Sequence, residues 1–320
     1  MFIKLFIRIL AIFCMMGFGM LARRLNVIDR DSASRMSRAA TNFFYPALIF
    51  TTLVSNFNIK ELVQNWILPA GTVVIMSTGF LLAFVFYRFI KFSGEKEENQ
   101  FFFQCTINNY SFLPLPIVLM LWGNPGVAGL IFSSLGSELC VWTIGVFGLT
   151  GRRFRRDSLM QLLSVPMIAI FASVAVMALR DFAGGPSGFT PNLFLKDLGG
   201  SLFSVLDIFG KGTIPLAMFI AGSRMAELKP RHLFTATQGY VVALRLLVIP
   251  AVTSAILLLL PFPLETRMIL LVVATMPSAI ASVVLSEVYD SDTEFAASCV
   301  LTTHLFSLIT IPLWLSLFLR

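Results

Sequence analysis

Long apolar stretches alternate with short polar connectors along the whole chain. Ten stretches approach the roughly 20 residues that an α-helix needs to cross a bilayer. They are 5–22, 39–55, 66–87, 101–122, 126–149, 161–179, 199–222, 235–260, 266–287 and 295–318. The connectors carry the turn and charge signals: Arg23 to Arg38, Lys91 to Asn99, Asn124-Pro125-Gly126, Arg152 to Asp157, Gly184 to Pro191 and Lys229-Pro230-Arg231. None is long enough for a separate soluble domain. The pattern predicts an all-α membrane protein of ten transmembrane helices. The first stretch has Lys4 and Arg8 ahead of an apolar core, as a secretory signal would. Ala22-Arg23-Arg24 follows in place of a small-x-small cleavage site, so the segment is read as a retained helix.

Composition agrees with the pattern. The chain is 57% hydrophobic with a mean hydropathy of +0.85, and charged residues make up 13%. That is about half the charged share of a soluble domain. The net charge of +7 is spread over short clusters between apolar runs, which fits membrane orientation and not a nucleic-acid partner. Taken in alternate connectors, the basic residues fall mainly on one side: Arg23 to Arg38, then Arg88, Lys91 and Lys96, then Arg152 to Arg156, then Arg224 to Arg231. That side is expected to face the cytoplasm of a cell (inner) membrane, with both termini on the other side. Cys14, Cys105, Cys140 and Cys299 lie inside apolar runs with no CxxC or Cys/His grouping, so neither a disulfide framework nor a metal site is expected.

The basic connector after the fifth stretch divides the chain into 1–150 and 158–320. Five helices per half is an odd number, so the halves are expected to be inverted repeats. Prolines recur at matching places. Pro46 and Pro215 lie in the second helix of each half, and Pro114, Pro116 and Pro277 in the fourth. Interrupted helices at corresponding positions of two halves are the sequence mark of a secondary-transporter site. Each proline removes an amide donor and frees a carbonyl four residues back; for Pro277 that carbonyl belongs to Val273. Polar residues cluster at the breaks: Asn108, Asn109 and Ser111 beside the first, Ser278 and Ser282 beside the second. If helices 4 and 9 cross there, four half-helix ends converge, suited to a carboxylate. The bland alternative is a pair of proline kinks patched by polar side chains.

Five ionisable residues fall at membrane depth, where charge is costly and faces the bundle interior. Asp207 and Lys211 are spaced i, i+4 in the favourable order for an ion pair. Arg245, far from either end of its helix, is expected either to pair with Glu138 or to receive an anion; with Lys211 it would clamp two carboxylates. Glu138 and His304 occupy similar places in the two halves and are candidates for proton coupling with Asp207. The acidic connector Glu287, Asp290, Asp292 and Glu294 is read as a solvated turn.

The run Ala274-Thr275-Met276-Pro277-Ser278-Ala279, the run Ala297 to Thr303 and the ending Ser307 to Trp314 resemble the C-terminal signature of the auxin efflux carrier family. Asn108 to Pro116 is similar to that family's polar-proline crossover. The short connectors match its bacterial branch. The resemblance implies a crossed-helix fold shared with bile-acid symporters and sodium/proton antiporters, a scaffold and a crossover domain, elevator movement and a homodimer. It implies small organic anions as substrates, such as malate, malonate or auxin-like acids, bound at the helix 4/9 crossover. The sodium-binding relatives use an acid in the ninth-helix crossover; Met276 to Val283 contains none, which argues against sodium. No other cofactor is expected. The chain carries no HExxH, paired aspartates or P-loop, so it does not read as an enzyme or an ATP-driven pump. The alternative function is a membrane sensor that uses the same fold without transport.

Overall fold

The computed structural model describes residues 2–153, 163–182, 193–227 and 235–319. Arg155, Arg156, Asp157, the start of the sixth predicted span, the Gly184 to Pro191 and Lys229-Pro230-Arg231 connectors, His232 and Arg320 lie outside the described residues, as does the side chain of Lys196.

The described chain is helical. The helices are α1 (Phe2–Arg24), α2 (Arg30–Ala39), α3 (Tyr45–Asn56), α4 (Ile59–Gln64), α5 (Ile67–Phe86), α6 (Glu95–Thr106), α7 (Pro114–Cys140) and α8 (Val146–Leu149). They continue with α9 (Val165–Phe182), α10 (Leu193–Lys211), α11 (Thr213–Glu227), α12 (Ala236–Ala243), α13 (Ile249–Leu259), α14 (Leu264–Ala274), α15 (Ala281–Val288) and α16 (Thr293–Phe318). Among the described residues, 7 helical runs are long and apolar enough to cross a membrane. The predicted stretches 39–55, 101–122 and 266–287 do not appear as such runs. The first is helical as expected, in an unbroken run from α2 through a π-helical turn at Ala40–Phe44 into α3, but that run is not among those apolar enough to count. The other two are interrupted, one between α6 and α7 and one between α14 and α15.

Pro114 and Pro116 act differently from the expectation that they break a helix from within. They lie in the first turn of α7, where the amide has no helical partner in any case, and so they start a helix. The fourth and fifth predicted spans join at Gly123, whose φ of 64° is left-handed and suits glycine. The predicted Asn124-Pro125-Gly126 connector therefore begins one residue earlier.

The helices can be described in two groups, which also touch through α1 on α16 and α3 on α7. In one, α1 lies along α11, and α3 packs on α9 and α10. The first contact is backbone to backbone: a Cβ on Gly19 would overlap the carbonyl of Phe219, and one on Gly222 the carbonyl of Met16. In lipid, where burial of apolar surface does not favour helix association, such close approach is what holds helices together. In the other set, α5, α6, α7 and α12 to α16 surround the two interruptions.

Polar contacts sort the connectors by face. Arg30 pairs with Glu287 at 3.0 Å, Lys96 with Asp290 at 2.6 Å and Arg152 with Glu98 at 2.8 Å. The acidic connector is thus bound to the basic ones and is not merely solvated, and Asp292 caps α16 through the Phe295 amide. Elsewhere Arg180 donates to the carbonyls of Val54 and Phe57, and Asp181 accepts from the amide of Ile59.

Candidate functional site

The two interruptions meet. Residues 107–113 and 275–280 leave the helical conformation, and Asn108 and Ser278 form an isolated antiparallel bridge. The Asn109 amide donates to the carbonyl of Pro277 at 2.8 Å, and the Ala279 amide to that of Ile107 at 3.3 Å. Backbone groups freed by one break are therefore satisfied by the other. This answers the demand that no polar group be left open in hydrocarbon.

Side chains complete the pairing. The carbonyl of Val273, released by Pro277, accepts from Asn108 Nδ2 at 2.5 Å. Ser278 Oγ donates to the carbonyl of Gln104 at 3.3 Å, and the Ser278 amide donates to Thr303 Oγ1 at 3.3 Å. Gln104 Nε2 donates to Ser282 Oγ at 2.9 Å. Asn108, Ser278, Ser282 and Pro277 thus build the crossing, all buried or within its backbone. Gln104 went unnoticed in the sequence. The i, i+4 series Gln100, Gln104, Asn108, a polar stripe on an apolar helix, is the signal that finds it.

Two ionisable residues flank the first break. Asn109 Nδ2 lies 3.1 Å from His304 Nε2, and His304 Nδ1 lies 2.8 Å from the carbonyl of Val300. A proton on Nδ1 satisfies both contacts, leaving Nε2 to accept from the amide. The next residue, Tyr110, donates its hydroxyl to Glu138 Oε1 at 2.8 Å, and Trp142 Nε1 donates to Oε2 at 3.0 Å. Glu138 and His304 engage consecutive residues of the break and not each other. Ser111 lies within the first break and is partly buried.

Arg245 differs from expectation. It pairs with neither Glu138 nor Lys211. Its side chain is fully buried, and its guanidinium donates to three backbone carbonyls: Nη1 to Cys105 at 2.9 Å, Nε to Met276 at 3.1 Å and Nη2 to Ala274 at 3.4 Å. Lys211 is elsewhere. Its ammonium pairs with Asp207 at 2.5 Å on the outer face of α10, with the two side chains 70% and 40% exposed. The expected two-carboxylate clamp is therefore not formed, because one cation is consumed inside the crossing and the other faces outward. Asp207 is likewise remote from the crossing.

A cavity of about 400 Å³ reaches the crossing. Arg30, Arg224 and Glu287 line it together with Ile107, Tyr110 and Ile280 from the two breaks. One wall comes from the first helix set through Thr41, Pro166 and Ala217; the other comes from the second through Phe103, Trp142 and Leu285. Of the candidate binding and coupling residues singled out in the sequence, Glu138 lines it. Asn108, Asn109, Ser111, Pro114, Pro116, Pro277, Ser278, Ser282, Arg245 and His304 stand behind it, and Asp207 and Lys211 outside it. Two further π-helical turns hold site residues: Val141–Gly145 contains Trp142, and Leu244–Val248 contains Arg245. Such turns are rare and recur at functional positions.

Helices interrupted face to face in an apolar bundle, with a cavity leading to the interruption, define a membrane transport protein. The chain belongs to the auxin efflux carrier family: the family model described as membrane transport protein matches residues 4–180 and 184–315. Among similar proteins is an uncharacterized transporter of Methanocaldococcus jannaschii, 24% identical over 311 residues, 96% of each chain. Another is an uncharacterized transporter of Methanothermobacter thermautotrophicus, 25% identical over 312 residues, again 96% of each chain.

Proposed function

We propose that the chain is a secondary transporter or facilitator of small organic anions, carboxylates such as malate, malonate or auxin-like acids, and that the substrate binds where the cavity meets the crossing. The observation that carries this reading is the cavity itself. It runs from charged residues at one face to Ile280 and Ala281, at the N-terminal end of α15. No side chain caps that helix end. The amides of Ser282 and Val283 already donate to the carbonyls of Ala279 and Ile280, so what this end offers a carboxylate is the partial positive charge of a helix N-terminus. Phe103, Phe112 and Trp142 supply an apolar wall for the rest of the molecule.

The same reading has ten spans in two inverted five-helix repeats, 1–150 and 158–320, with helices 4 and 9 interrupted. The ion pairs that gather Arg30, Lys96, Arg152, Glu287 and Asp290 support the alternation of connectors. That face is assigned to the cytoplasm of the cell membrane, and both termini to the opposite side. Because the cavity lies between the two helix sets, substrate access alternates by sliding of the crossover set against the other, in the manner of an elevator. Glu138, within hydrogen-bonding range of Tyr110 at the cavity wall, is assigned to proton coupling. Asp207 and Lys211 stand on an exposed apolar face with Val205, Ile208 and Phe209, a position that suits the contact of a homodimer.

The test is flux into liposomes containing the purified protein, with malonate, malate and indole-3-acetate as labelled probes. Saturable uptake of at least one acid, inhibited by its analogues and lost in Asn109→Ala, is expected. Uptake equal to that of empty liposomes for every acid would contradict the proposal.

A further inference from the structure

The two interrupted helices bring together ends of like sign. α6 ends at Thr106 and α14 at Ala274, and both are C-termini. Each such end carries partial negative charge of roughly half an elementary unit, and its last carbonyls have no helical partner. Two of them converging in an apolar bundle repel one another and demand donors. Backbone and Asn108 contacts satisfy part of that demand, at Ile107, Pro277 and Val273. The carbonyls of Cys105, Ala274 and Met276 depend on Arg245. The crossing is also rich in acceptors beyond these. Gln104 Oε1 and Asn108 Oδ1 are buried without a hydrogen-bond donor.

Arg245 itself has an unusual setting. Its side chain is fully buried, and among the described residues no carboxylate forms an ion pair with it. A buried charge needs compensation, and here the compensation comes from the two helix ends. A set of convergent carbonyl oxygens with supporting amide oxygens is the ligand type that binds an alkali cation. The planar fork of a guanidinium meets the same oxygens through directed N–H groups and cannot dissociate from the chain.

We propose that Arg245 is a built-in cation of the crossover. It takes the place that a free coupling cation would otherwise hold between the two negative half-helix ends, so that the chain transports without sodium or potassium. This rests on the transporter reading above. It also goes beyond the lack of an acid in Met276 to Val283, because it names the group that replaces the ion and predicts what its removal exposes. Truncating Arg245 leaves three buried carbonyls and a vacancy of guanidinium shape, a site for small cations.

The experiment compares the wild type with Arg245→Ala, Arg245→Lys and Arg245→Gln. Thermal unfolding of the purified proteins and uptake into liposomes are both followed in sodium, potassium or choline chloride, with or without millimolar methylguanidinium. For the wild type, unfolding temperature and uptake are expected to be the same in all salts. Arg245→Ala is expected to unfold at lower temperature and lose uptake in choline, and to regain both with methylguanidinium or sodium. Arg245→Lys keeps uptake in choline in part, and Arg245→Gln loses it. Should Arg245→Ala not fold, the wild-type salt comparison and the contrast of Lys with Gln still decide. The proposal is overturned by wild-type uptake that requires sodium or potassium, by Arg245→Ala or Arg245→Gln matching the wild type in choline, or by losses that no cation restores and Lys does not lessen. If no acid is taken up by any form, the transporter reading falls, while the cation response of Arg245→Ala unfolding still tests the site.

Discussion

Asn108 and Asn109 are neighbours that do different work. Asn108 faces into the crossing, where its amide holds the Val273 carbonyl that Pro277 frees. Asn109 reaches the other way, to His304. Replacing Asn108 by Ala leaves the buried Val273 carbonyl with the Met276 amide, at 3.3 Å, as its remaining donor across the break. One hydrogen bond contributes about 0.5–1.5 kcal/mol net, so a drop of that size in unfolding free energy is expected. Asn108→Asp, which has no amide donor, should not restore it; full stability in either variant would show that the carbonyl finds another partner. Glu138 offers a second prediction. Its carboxyl is held by Tyr110 and Trp142, with Arg30, Arg224 and Glu287 the other charged groups lining the cavity. In Glu138→Gln, net uptake is expected to lose its pH dependence while exchange of internal for external substrate persists. An unchanged pH profile would remove Glu138 from proton coupling. The sequence showed that Pro277 frees the Val273 carbonyl and that polar side chains lie near the break; it did not single out Asn108 as the donor. It did not place Arg245, because the three carbonyls it meets are 29 to 140 positions away.

At the level of helices, the interruptions were legible because proline and polar residues inside an apolar run leave few alternatives. How each helix is interrupted was less so. Pro114 and Pro116 read as defects but serve as helix starters, since the chain has already left the α conformation at Ile107. The stretch 39–55 is helical as read; the π-helical turn at Ala40–Phe44, which joins α2 to α3, has no composition of its own and was not legible. The packing of α1 on α11 gives a further prediction. Gly19 and Gly222 each lie against the opposite backbone, which has no flexible end to move aside. Gly222→Leu should therefore separate these helices and lower expression and unfolding temperature sharply. Gly17→Leu on the same α1, where a Cβ meets nothing within 4 Å, should be tolerated. Equal behaviour of the two would show that the close approach does not matter.

Across the whole molecule, the cavity of the described residues has Arg30, Arg224 and Glu287 among its lining, and the Arg30–Glu287 pair ties two connectors beside it. Hydropathy, basic connectors and matched prolines pointed to the membrane and to a crossing. They could not reveal that the crossing is a closed hydrogen-bonded unit with the cavity beside it, which depends on pairing between residues far apart in sequence. The account's central claim is that substrate reaches this crossing from the cavity. Ala281→Cys, in protein whose exposed Cys14 is replaced by Ser and whose Cys105, Cys140 and Cys299 are buried, places an accessible thiol on the cavity wall at the end of α15. Its labelling by a membrane-impermeant maleimide, applied to each face of sealed vesicles, is the most direct test. The account predicts labelling from the face that carries Arg30 and Arg224, slowed by the transported acid. Labelling from that face at a rate the acid does not alter, or labelling from the opposite face alone, would contradict it.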